Sequence, residues 1–171
     1  MSERGREMEI SKLRERLVLG NAIDRRLDEL VRAAGRQVLL LQDDRAMRES
    51  QFRNVLDVAL STPSLEVVTN FVRYQMGRSG GNQAWLHNNF GQSVVQEIEK
   101  GLIPRLAQEI ANEVCEELGA QDRDAITREA RLRLLRLYLG YLNRWFYYGS
   151  KTKQWDDIAA ATKKEAGANV R

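Results

Sequence analysis

Apolar residues recur at three- and four-residue steps along most of the chain, the spacing of helices that each bury one face. Ile23, Leu27, Leu30, Val31, Ala34, Val38 and Leu41 form the first such run, with Asn21 placed as its N-cap and Asp24 in its first turn. The ten residues at the start, MSERGREMEI, are charged and aperiodic, and are expected to be disordered. A second helix is expected over Arg45 to Leu60, burying Phe52, Val55, Leu56 and Ala59. Ser61-Thr62-Pro63 stops it and starts a third, with Thr62 as cap and Pro63 in the first helical position. That third helix carries Leu65, Val68, Phe71, Val72 and Met76, and ends at Gly77.

From Ser79 to Gln92 glycine and asparagine dominate, so a loop is expected there, pinned by Trp85 and Phe90. Helical spacing resumes from Ser93 to Leu118, where Gly101 and Pro104 should kink or split the element, and Gly119 closes it. A helix over Thr127 to Gly149, capped near Asp122 or Asp124, comes next. A weaker one over Gln154 to Lys164 precedes a tail, 166–171, expected to be disordered. No repeat or linker interrupts the pattern. Residues 1–171 therefore read as one all-α domain, a bundle of about five to six helices.

Composition agrees. The 171 residues are 43% hydrophobic and 30% charged with only two prolines, which suits one helical core. The net charge of +3 is modest but uneven. From Arg128 to Lys153 seven basic residues oppose one acid, Glu129, a local +6 that leaves −3 for the remainder. On a helical wheel Leu132, Leu134, Leu135, Tyr138, Leu139, Tyr141, Leu142, Trp145 and Phe146 fill one half of that segment. Arg133, Arg136, Gly140, Asn143, Arg144 and Tyr147 fill the other. Such a helix can bury one side and offer a basic strip to polyanions, the layout of a sequence-indifferent phosphate binder. The bland alternative is a solvated arginine face. The functional reading requires Arg133, Arg136 and Arg144 to be uncovered and free of carboxylates.

Catalysis has little to draw on. His87 is the one histidine and lies in the loop, while Cys115 sits on a core-like helical face and reads as a small buried hydrophobe. There is no zinc spacing and no phosphate loop, and the acidic groups Glu97/Glu99 and Glu113/Glu116/Glu117 lack the Glu-x-x-His pattern of di-iron bundles. No catalytic residue, metal or cofactor is therefore expected. A lone cysteine, a charged N-terminus and the lack of an 18-residue apolar run point to a cytoplasmic protein with no membrane partner.

Two short segments go beyond composition. Ser50-Gln51-Phe52-Arg53-Asn54, followed by Tyr74-Gln75-Met76-Gly77-Arg78, resembles the small all-helical subunit of type III CRISPR effector complexes. Tyr138-Leu139-Gly140-Tyr141 is similar to that family's final core helix. The match covers Ser50 to Arg78, with a looser echo over Arg128 to Tyr148. The chain departs from the family in added length at its N-terminus, in the Trp85 loop and after Gly149. The resemblance implies a non-catalytic subunit that stacks beside neighbouring copies of itself and other subunits of the complex. There it would face guide RNA and target RNA through backbone contacts. By motif, Arg53 and Arg78 are the matching basic positions. The wheel adds Arg73, on the Glu66–Asn70–Arg73–Gly77 face, with Arg133, Arg136 and Arg144. Tyr147, Tyr148 or Trp85 could stack on a base, although a core anchor is the simpler role for the tryptophan. A helical protein–protein adaptor with no nucleic-acid role is the alternative, motivated by the aromatic density of Tyr141 to Tyr148. A small DNA-binding regulator ranks last, because no recognition-helix signature is visible.

Overall fold

A computed structural model describes residues 3–78, 83–119 and 122–163. Among these residues there are eight α-helices and no strand: α1 (Glu3–Asp24), α2 (Leu27–Val38), α3 (Glu49–Ser61), α4 (Leu65–Gly77), α5 (Phe90–Glu99), α6 (Leu102–Leu118), α7 (Arg123–Thr152) and α8 (Trp155–Thr162). The all-α expectation holds, with more helices than the apolar spacing alone suggested. Residues 164–171, and with them the expected disordered tail, lie outside the described residues.

The 30-residue helix α7 is the axis of the bundle, packed against α2, α3 and α6. Its Leu134, Leu135, Tyr138, Leu139, Leu142 and Phe146 are buried, six of the nine residues that the wheel turned inward, while Leu132, Tyr141 and Trp145 are only half-buried. Asp122 caps it, its carboxylate accepting the Ala125 amide at 3.0 Å. The expected loop anchors do their part. Trp85 and Phe90 are buried, and both rings lie within 6 Å of Phe52 (5.8 and 5.7 Å), which also meets Phe146 at 4.9 Å. These four rings tie α3, α5, α7 and the 3-10 turn Ala84–Asn89 into one core.

Where boundaries moved, a polar partner explains the shift. Helix starts at Glu3, so the first described residues are helical and not frayed, and Asn21 lies inside α1 instead of capping the next helix. The break comes at Arg25 and Arg26, which both reach Glu113 of α6. Thr62 does not cap α4. Ser64 does, its Oγ accepting Val67 N at 3.4 Å, while Thr62 Oγ1 accepts Ser64 N. The long apolar run from Ser93 is two helices, split at Gly101, and α5 already begins at Phe90. The Glu97 carboxylate accepts the Leu102 amide at 2.8 Å, which starts α6 where α5 has stopped. Pro104 then falls in the first turn of α6, where no amide is needed.

Candidate nucleic-acid interface

Helices α3 and α4 form an antiparallel hairpin joined by residues 62–64, and α3 runs antiparallel to α7. Phe52 near the start of α3 touches Phe146, and Ala59 and Thr62 at its end meet Arg136. The start of α3 and the end of α4 therefore share one end of a three-helix layer with the C-terminal half of α7.

Into that end the sequence places three cations that lie over tyrosine rings. Arg144 stands 5.6 Å from the Tyr141 centroid, Lys151 5.6 Å from Tyr147, and Arg78 5.7 Å from Tyr74. All three cations are exposed, and Tyr74 and Tyr147 are 57% and 48% exposed. No carboxylate pairs with any of the three among the described residues. A cation stacked at such a site gains only about 0.5–1 kcal/mol, and its N–H edges stay open to phosphate oxygens. Arg53 is exposed too, and its one ion partner among the described residues is Glu49, one helical turn away. An exposed pair of that spacing is worth about 0.3–0.5 kcal/mol, little against exchange for phosphate.

The other three sequence-predicted arginines each have a partner within the chain, though the exposed Arg133–Glu129 pair is of the same i, i+4 kind as Arg53–Glu49. Arg73 makes a bidentate pair with Glu99 of α5, at 2.8 and 2.9 Å. That hydrogen bonding holds the Glu99 carboxyl below its ordinary range and raises the Arg73 guanidinium above its own. Arg133 donates to Glu129 at 2.7 Å. Arg136 is spent on backbone, its Nε donating to Ala59 O at 2.9 Å and its Nη2 to Thr62 O at 3.3 Å. The physical reason lies in α3. Ala59 O would ordinarily accept the amide four residues on, but residue 63 is proline and has none. Arg136 supplies the missing donor at the negative end of the helix. The expectation that Arg133, Arg136 and Arg144 all stand free is therefore corrected: Arg144 alone does.

Gly140, in the middle of the same strip, faces open space, so packing within the chain does not demand it. Lys151 as a site residue, and the pairing of each cation with a tyrosine, escaped the sequence reading. Their signal was present as aromatic and basic residues at i, i+3 or i, i+4: Tyr74/Arg78, Tyr141/Arg144 and Tyr147/Lys151. Tyr148 points elsewhere, its hydroxyl donating to Asp157 at 2.6 Å, and Trp85 is core.

Elsewhere the chemistry is thin. His87 Nδ1 lies 3.8 Å from Asp44, whose other oxygen accepts the amides of Ala46 and Met47 to shape the turn before α3. Cys115 is half-buried against the core. Among the described residues no three His, Cys, Asp or Glu side chains gather as a metal site, and no helix is long and apolar enough to cross a membrane. No family model, curated protein or solved structure matches the chain.

Proposed function

We propose that this protein is a non-catalytic subunit that holds the backbone of single-stranded or guide-paired RNA, as the likeness to type III CRISPR small subunits implies. The observation that carries the reading is the set of three cations over tyrosine rings, at the end of α4 and on the C-terminal half of α7, with no carboxylate partner among the described residues. Polyanion binding without sequence preference needs cations to neutralise phosphates and aromatic faces to stack bases. Arg53 and Arg78, the two basic residues of the paired motifs, lie near the start of α3 and at the end of α4. In a guided complex, base pairing would supply specificity and this surface only charge and shape.

Fluorescence anisotropy with single-stranded RNAs of unrelated sequence tests the reading. Binding should be weak and indifferent to sequence, and R78E/R144E/K151E should abolish it with helicity intact. Unchanged affinity in that variant would remove the assigned face. The adaptor reading keeps one specific support: Leu60 and Val67 of the α3–α4 hairpin are 58% and 48% exposed. It predicts salt-insensitive partner binding and no RNA shift.

A further inference from the structure

Helix α1 runs for 22 residues, but only Val18, Leu19, Ala22 and Ile23, in its last two turns, are buried. Residues 6–14 are exposed at every position. On this free part Ile10, Leu13 and Leu17 are 66%, 59% and 60% exposed. At 100° per residue they fall within a 60° stripe, opposite the face that packs on the body. A helical segment this short is marginal in water by itself, so an apolar seam along it calls for a partner.

The flanking charges say which partner. With Ile10 and Leu17 at position a and Leu13 at d, the e positions are Glu7 and Arg14 and the g positions Glu9 and Arg16. Both flanks thus run from acid to base along the helix, and none of these four groups has an ion partner among the described residues. An antiparallel copy reverses that order. Glu9 then faces Arg16 of the second chain, Glu7 faces Arg14, and each pair occurs twice. In this register Ile10 packs on Leu13, and Leu17 on the stem of Arg6. A parallel pair would bring Arg6 against Arg6 and keep only the Glu9–Arg14 attractions. It would also crowd both bodies at one end, whereas the antiparallel pair sets them at opposite ends.

We infer that α1 is a self-association element, pairing antiparallel with α1 of a second copy of this chain along Ile10, Leu13 and Leu17. The interface is isologous and closes at two chains. It stands on α1 alone and does not depend on the RNA reading.

Sedimentation velocity on the full chain, up to about 200 µM, tests it, because a short two-heptad seam should dissociate in the micromolar range. The wild type should show a concentration-dependent monomer–dimer equilibrium and L13E only monomer, with the same thermal melt at concentrations where the wild type is monomeric, because Leu13 is 59% exposed. R14E/R16E should weaken the dimer by about tenfold or more, and E7R/E9R/R14E/R16E should restore it. Orientation is read in a C115A background: R6C/L17C should give a disulfide-linked dimer on oxidation, and L17C alone should not. A strictly monomeric wild type, a dimer untouched by L13E or by R14E/R16E, or self-crosslinking of L17C alone would each overturn the inference.

Discussion

Replacing Arg136 by methionine separates a structural arginine from a ligand-binding one. The variant keeps the aliphatic stem but removes both hydrogen bonds to the end of α3, at 2.9 Å to Ala59 O and 3.3 Å to Thr62 O. Ala59 O then loses its donor in a half-buried site where Pro63 cannot replace it. A charged donor to a backbone carbonyl contributes about 1.5–3 kcal/mol, and the cation beside a helix C-terminus adds a few tenths more. The longer second bond adds little, so a total cost of about 2–3 kcal/mol follows. For a domain of this size that lowers Tm by about 5–10 °C. Urea unfolding followed by circular dichroism measures it, with R144M as the control. Among the described residues the Tyr141 ring is the one partner of the Arg144 guanidinium, so R144M should change stability by less than about 0.5–1 kcal/mol. Below its melting range R136M should bind RNA within about twofold of wild type. If R136M is as stable as wild type and loses RNA affinity to the extent that R144M does, Arg136 is a phosphate ligand and the reasoning fails.

Other expectations follow from the same packing. The Tyr138 hydroxyl is buried without a partner among the described residues, and burial pushes its pKa up, so it stays neutral; Y138F should therefore stabilise by about 1 kcal/mol in urea titration, and a loss of stability would reveal a hidden partner. A methyl group at Gly149 would meet the Trp155 ring at 2.6 Å, whereas one at Gly140 meets nothing within 4 Å. Thermal melts should thus show G149A costing about 1–3 kcal/mol and G140A gaining about 0.5–1. Because Arg73 lowers the Glu99 pKa, that pair stabilises above the ordinary carboxylate range and is lost as pH falls through the lowered value. E99Q should cost about 0.5–1 kcal/mol at neutral pH, and the difference from wild type should vanish at about pH 2.

The apolar spacing sufficed for the helical class, for the inward half of α7 and for the split near Gly101, because burial of one helix face is written directly in the order of residues. Partners were not. Nothing local to Arg136 announces that Pro63, 73 positions earlier, leaves a carbonyl without a donor. Nothing local to Arg73 announces Glu99 at the far end of the next helix. Arg133 and Glu129, in contrast, were readable as an i, i+4 pair, as were the cation–tyrosine pairs. The N-terminal helix was missed because its apolar stripe is narrow and lies among charges, which looks aperiodic until the heptad is drawn.

The salt dependence of RNA affinity tests the central claim most directly. With Arg53, Arg78, Arg144 and Lys151 each neutralising one phosphate, log affinity against log salt should have a slope of about −2.8, at −0.7 per contact. R144A should make that slope shallower by about 0.7, and R136M, whose arginine is spent on the end of α3, should leave it unchanged. A flat line, or equal losses from both variants, would contradict the account.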